Sequence, residues 1–196
     1  AATTVRDSFH TRDHTERLLQ AMSRGAVDIG ADDVHVEPAP LRGGCYVAVP
    51  GDISSAAFFL AAAALVPDSD VTLEGVGVNP TRMGFVEVLQ KMGASIKISK
   101  RNNADFEPAA RLRARFSGNL CGARIEAERI PALVDEVPVL AVLATQASGL
   151  TRIDGLGELR IKESNRLEGL ADNLRRMGAK ARVEGDSLLI EGATPL

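Results

Sequence analysis

At 196 residues and a formal net charge of −3 at pH 7, the chain has room for one domain or two small ones and no general attraction to nucleic acid or anionic membrane. Any anion site must therefore be a local cluster of cations. Hydrophobic residues make up 45% of the chain and aromatics only 4%, so a globular core must be built mainly from Ala, Val, Leu and Ile. No apolar run reaches the ~20 residues of a membrane span; the nearest, 56–66, is too short. Cys45 and Cys121 match no metal-ligand spacing and read as free thiols of a reducing cytoplasm. The start at Ala1-Ala2-Thr3-Thr4 has neither initiator Met nor signal-peptide pattern. It reads as the interior of a longer chain, and Pro195-Leu196 reads the same way.

Taken in chain order, the elements form one pattern three times. Thr3-Thr4-Val5 alternates like a strand, Thr11-Arg12 follows, and a helix around Leu18 to Met22 leads into a strand at Val27-Asp28-Ile29. Residues 54–66 are dense in Ala and Leu and apolar on nearly all sides, which predicts a buried helix. Asp52 or Ser54 is its N-cap. A strand at Val71-Thr72-Leu73, then Thr81-Arg82, then an amphipathic helix over 85–92 come next, closed by Gly93 as a C-cap at positive φ. Ser95 to Ile98 predicts another strand. The polar stretch 101–118, with Asn102-Asn103 and Pro108, reads as a loop.

The pattern then restarts. Residues 137–147 predict a second buried helix, with Pro138 in its first turn. A strand at 150–153, the cations Arg160, Lys162 and Arg166, an amphipathic helix ending at Met177-Gly178, and a strand at 181–183 follow. Glu184-Gly185-Asp186-Ser187 predicts a hairpin into Leu188-Leu189-Ile190. The expectation is an α/β (α+β) fold of repeated units, each a buried helix, a strand, an amphipathic helix and two strands. Three such units around parallel buried helices would complete a domain. Residues 49–196 hold two of them, and residues 1–48 are the closing part of an earlier unit.

Chemistry concentrates in three clusters. Lys162, Glu163 and Arg166 crowd a predicted helix start, where partial positive charge and unpaired N–H groups favour an anion. Glu163 among cations could move a proton; a solvated helix start with ordinary i,i+4 pairs is the plainer alternative. Asp135, in Val134-Asp135-Glu136-Val137-Pro138, is either a cap of the buried helix or an acceptor of a substrate hydroxyl proton. Arg12, in Thr11-Arg12-Asp13-His14-Thr15, could bind a phosphate, although Thr81-Arg82 suggests that Thr-Arg is a feature of the repeat. His10 and His14 stand four apart with no third ligand in view, so no metal is expected. Asp52-Ile53-Ser54-Ser55 reads as a helix cap, and no glycine-rich phosphate loop is present.

Together, Pro50-Gly51-Asp52-Ile53-Ser54-Ser55-Ala56, Asn79-Pro80-Thr81-Arg82-x-Gly84, Asp135-Glu136-Val137-Pro138 and Leu159-Arg160-Ile161-Lys162-Glu163-Ser164 resemble the 5-enolpyruvylshikimate-3-phosphate synthases, in that family's order and spacing. Thr11 to Glu16 resembles its divergent, glyphosate-tolerant bacterial branch. The resemblance implies an enolpyruvyl transferase-like fold of two domains, each of three βαβαββ units, with residues 1–48 ending the first and 49–196 forming two units of the second. It implies transfer of an enolpyruvyl group from phosphoenolpyruvate to the 5-hydroxyl of shikimate 3-phosphate, by a cytoplasmic monomer without cofactor. By the same resemblance Asp135 takes the hydroxyl proton, Lys162 contacts shikimate 3-phosphate and aids proton transfer, and Glu163 serves the methylene carbon. Arg166 binds phosphoenolpyruvate and Arg12 the 3-phosphate. Asn165 departs from the family's usual Asp. Several of the family's substrate-binding segments have no counterpart in this chain, so the chain alone is expected to be inactive. A UDP-N-acetylglucosamine enolpyruvyl transferase and a non-catalytic domain of the same fold remain as alternatives; Lys162-Glu163-Ser164-x-Arg166 favours the shikimate enzyme.

Overall fold

The computed structural model describes residues 1–8, 11–23, 25–43, 47–102, 106–161 and 164–194, with the side chains of 100–102 excepted. His10, Cys45, Asn103, Lys162, Glu163 and the terminal Pro195-Leu196 lie outside the described residues.

The first segment is β1 (Thr3–Arg6), α1 (His14–Met22), β2 (Val27–Ile29) and β3 (Asp33–Val36), forming a sheet in the order β1-β3-β2. The next unit is α2 (Ile53–Leu65), β4 (Asp70–Gly77), α3 (Gly84–Lys91), β5 (Ser95–Asn102) and β6 (Ala109–Arg115), in the order β4-β6-β5. The last is β7 (Arg124–Ile125), α4 (Val137–Gln146), β8 (Leu150–Ile153), α5 (Arg166–Arg176), β9 (Lys180–Glu184) and β10 (Ser187–Glu191), in the order β7-β8-β10-β9. In each sheet the final strand lies between the two that precede it in the repeat, which is the structural signature of the repeat. The buried helix of each full unit joins a parallel pair: Gly51 bridges Val76 across α2, and β7 runs parallel to β8 across α4. These opening strands are a single bridge and two residues, too short for any periodicity to reveal them.

The helices form where the sequence directs them. The Asp52 side chain accepts the Ser54 and Ser55 amides at the start of α2, and Pro138 sits in the first turn of α4. Gly93 and Gly178 close α3 and α5 at φ of 101° and 95°. Leu60 of α2 and Leu140 and Leu143 of α4 are fully enclosed, each such burial contributing about 1.5–3 kcal/mol. Gly185 turns the β9–β10 hairpin at φ 58°, pairing Ser187 with Glu184.

Two expectations are corrected. The stretch 101–118 is not a loop, because β6 within it is the central strand of its sheet. Ala110, Leu112 and Ala114 point into the core, while Arg113 and Arg115 reach Asp70 on the other face. The alternation is present in the sequence, but small and charged residues carry it and hide the strand. Nor is α2 enclosed on all sides: Phe58 and Phe59 are 64% and 60% exposed.

Candidate functional site

Asp135 stands in a 3-10 turn, Val134–Glu136, that runs directly into α4. It is not the cap of that helix. Glu136 holds the cap position, with no side-chain capping bond, so the capping alternative for Asp135 falls. The Arg12 guanidinium, just ahead of α1, donates to Oδ2 of Asp135. Two sequence-predicted site residues thus meet, both about half exposed. An ion pair so open to water contributes ~0–1 kcal/mol to stability, so stability gives little reason for the pairing.

Next to Asp135 in the chain, Glu136 is enclosed together with its neighbour Arg82. Glu136 is 1% exposed. Its Oε1 accepts the Ser54 hydroxyl, and Arg82 donates to the same Ser54 Oγ at 2.6 Å. Arg82 Nη2 also lies 3.6 Å from Asp52 and 3.7 Å from Glu136. The starts of α2 and α4 therefore converge on one ionic knot, in which Glu136 and Arg82 are enclosed and Asp52 is half exposed. Burial raises the Asp52 carboxyl, but hydrogen bonds from Ser55 and Ser54 and the charge of Arg82 outweigh it and hold Asp52 below its ordinary 3.8.

On the other side, Asn79 donates to Asp13 Oδ1 at 2.7 Å and to Glu107 Oε2 at 3.1 Å. His14 Nδ1 lies 2.6 Å from Glu107 Oε1, and Arg17 donates to Asp13 at 2.8 Å. Burial raises the Asp13 carboxyl, yet the bonds from Arg17 and Asn79 dominate and lower it. Asp13, His14 and Glu107 bring possible ligand atoms within 4.8 Å of one another. The sequence offers His14 no such partners, because Glu107 lies 93 residues away in the stretch read as a loop. Those atoms are hydrogen-bonded to one another and to Arg17 and Asn79.

Two cavities flank these networks. One of about 290 Å³ is lined by His14, Asp52, Asn79, Arg82, Phe106 and Glu107, among others. A second of about 150 Å³ is lined by Arg12, Asp13, Asp32 and Thr81, among others. Arg166 is the exposed first residue of α5. The cap of that helix is Asn165, whose Oδ1 accepts the Glu168 amide at 3.2 Å. Asn and Asp cap equally well, so the departure at 165 keeps the cap and drops one negative charge. Lys162 and Glu163 lie outside the described residues. Sequence reasoning gave no role to Asn79 and Glu136, although both stand in stretches that carry the resemblance, and it missed Glu107. Their role depends on partners far away in the chain, and no local spacing announces that.

The sequence model of a family described as EPSP synthase (3-phosphoshikimate 1-carboxyvinyltransferase) matches residues 2–196. A 3-phosphoshikimate 1-carboxyvinyltransferase of Pelotomaculum thermopropionicum is 48% identical over 194 residues, covering 99% of this chain and 44% of that protein. The protein of the same name from Thermosynechococcus vestitus is 48% identical over 195 residues, with the same coverage. Among solved structures, EPSP synthase from Acinetobacter baumannii superposes with a TM-score of 0.88 at 36% identity, over 99% of this chain and 43% of that one. The enolpyruvyl transferase NikO from Streptomyces tendae superposes at 0.73 with 20% identity, over 98% and 43% of the two chains; at that identity the likeness shows the fold alone. The chain spans less than half the length of the relatives it matches.

Proposed function

The chain belongs to the EPSP synthase family, and from that premise we propose that its parent protein transfers the enolpyruvyl group of phosphoenolpyruvate to the 5-hydroxyl of shikimate 3-phosphate, releasing phosphate. The observation that carries this reading is the contact between Arg12 and Asp135, a cation and a base drawn from distant parts of the chain into one half-exposed spot. Arg12 is suited to a phosphate through charge-assisted bonds. When the 3-phosphate arrives, the guanidinium turns to it and Asp135 is left to accept the hydroxyl proton. The hydroxyl oxygen then attacks the substituted carbon of phosphoenolpyruvate while its methylene gains a proton, and loss of phosphate with a methyl proton restores the enol ether. Glu163 is the group for the methylene proton, Lys162 contacts shikimate 3-phosphate and aids proton transfer, and Arg166, at a helix start, serves the phosphoenolpyruvate anion. Proton transfers of this kind contribute roughly 10²–10⁴-fold each.

The proposed organisation has residues 1–48 ending one domain and 49–196 supplying two of the three units of the next. Phe58 and Phe59, which share the exposed face of α2 with Ser55 and Ala62, support it, since two large aromatics on such a face suit the helix of a third unit. No helix among the described residues is long and apolar enough to cross a membrane; we place the parent in the cytoplasm. The test is phosphate release from phosphoenolpyruvate by the full-length parent, with shikimate 3-phosphate in one reaction and UDP-N-acetylglucosamine in another. Release with shikimate 3-phosphate alone is expected. Release with the nucleotide sugar, or with neither, overturns the reading.

A further inference from the structure

The segment Asn79-Pro80-Thr81-Arg82 takes no part in the reaction as written, yet it touches both halves of the site. It is a 3-10 turn, Pro80–Arg82, capped by Asn79, whose Oδ1 accepts the Thr81 amide and hydroxyl at 2.9 and 2.8 Å. That leaves the Asn79 amide nitrogen to reach backwards to Asp13 at 2.7 Å and to Glu107 at 3.1 Å. At its other end the turn sends Arg82 to Ser54 at 2.6 Å and to within 3.7 Å of Glu136. Asp13 follows Arg12 in the chain, and Glu136 follows Asp135. One turn therefore grips the residue next to each member of the Arg12–Asp135 pair. It also separates the two cavities: Asn79 and Arg82 line the larger, and Thr81 lines the smaller beside Arg12.

We propose that Asn79 and Arg82 are positioning residues for the substrate site, which hold the chain segments that carry Arg12 and Asp135 in place from two sides. An ion pair half open to water holds its own geometry weakly, whereas Asn79 and Glu136 are 2% and 1% exposed and can hold theirs. Locking a functional side chain through buried neighbours is how sites keep sub-ångström placement. Arg82 suits the task better than a lysine: one nitrogen, Nη2, lies within 3.7 Å of Ser54, Asp52 and Glu136, and a planar guanidinium holds it in a fixed direction where a flexible ammonium does not. The inference rests on the proposed roles of Arg12 and Asp135.

The experiment uses the full-length parent with Asn79→Ser and Arg82→Lys. Serine keeps a capping oxygen for the turn and loses the amide donor; lysine keeps the charge and loses the planar guanidinium. Phosphate release gives kcat and KM, and amide hydrogen exchange reports segments 11–15 and 134–136. Asn79→Ser is expected to raise the KM for shikimate 3-phosphate, and Arg82→Lys to lower kcat by about 10²-fold, the cost of an ångström of misplacement. Both should speed exchange in the two segments and leave 180–191 unchanged. A merely structural role lowers the yield of folded enzyme and leaves kcat and KM per folded molecule unchanged; that result, with unchanged exchange in both segments, overturns the proposal. If the wild-type parent releases no phosphate, the functional reading fails by itself, and exchange in the two segments still decides the positioning role.

Discussion

Arg12 and Asp135, 123 positions apart in sequence, meet as guanidinium and carboxylate, both about half exposed. In the proposed reaction this contact is a resting pair that substrate must break. The two residues should therefore respond differently to substitution in the full-length parent. Asp135→Asn removes the base and is expected to lower kcat by about 10²–10⁴-fold. It also frees Arg12, so the KM for shikimate 3-phosphate should not rise. Arg12→Met is expected to raise that KM, and neither change should cost more than ~1 kcal/mol of stability, as befits an exposed pair. Steady-state kinetics beside urea unfolding separate the effects. A raised KM in Asp135→Asn would show that the pair does not compete with substrate.

Glu136 behaves in the opposite way. Its carboxylate is enclosed, accepts Ser54 and faces Arg82. Glu136→Ala leaves the Arg82 cation, itself 13% exposed, with the half-exposed Asp52 in place of its enclosed counter-charge. Breaking such a pair costs about 3–5 kcal/mol. Glu136→Gln keeps the shape and a hydrogen-bonding group and should cost less. The urea midpoints of the two variants measure this; equal midpoints would mean that the charge contributes nothing to the fold.

Acid stability follows from Asp13 and Asp52. Burial raises both carboxyls, but hydrogen bonds outweigh it, from Arg17 and Asn79 at Asp13 and from Ser55 and Ser54 at Asp52. Their folded pKa values thus lie below the ordinary 3.8. The unfolded chain then binds more protons in that range, so stability rises with pH. The contribution is complete above the unfolded pKa and is lost as pH falls through the folded values. Asp13→Asn should flatten the loss of stability below about pH 4. It should also lower stability at neutral pH, where Arg17 loses its partner. Unfolding midpoints from pH 5 downward check the sign, and a steeper acid loss in the variant would contradict it.

The repeat, the buried helices and the glycine caps were legible because each follows from local pattern. Apolar residues three and four apart mark α3, and Gly93 and Gly178 mark helix ends at positive φ. What stayed hidden depends on distant partners. The alternation of β6 is carried by alanines and arginines, which read as a polar loop until Asp70 is seen beside Arg113. Arg12 and Asp135 were recognisable as candidates, but not their contact. The neighbouring Asn79 and Glu136 stand in recognisable stretches, but nothing local shows what they hold. Their amide and carboxylate acquire meaning only when Asp13 and Ser54 arrive from 66 and 82 residues away.

Gly84, two residues after Arg82, shows how closely this region is packed. A Cβ built there would meet the Ala132 carbonyl oxygen at 2.9 Å and the Ala132 carbon and Cβ at 3.0 Å. Backbone atoms cannot swing aside as a long side chain can, so Gly84→Ala must displace either α3 or the 3-10 segment Ala127–Ala132. Overpacking of this kind costs about 1–3 kcal/mol. Ala132 lies only three residues before Asp135, so the displacement should reach the site as well. Gly84→Ala in the full-length parent is therefore expected to lower both the urea midpoint and kcat. Gly169, where a Cβ meets nothing within 4 Å, is the matched control on α5. Gly169→Ala should stabilise by up to about 1 kcal/mol through helix propensity and leave kcat unchanged. A Gly84→Ala enzyme with wild-type midpoint and wild-type kcat would mean that the helix and the turn segment can separate without consequence.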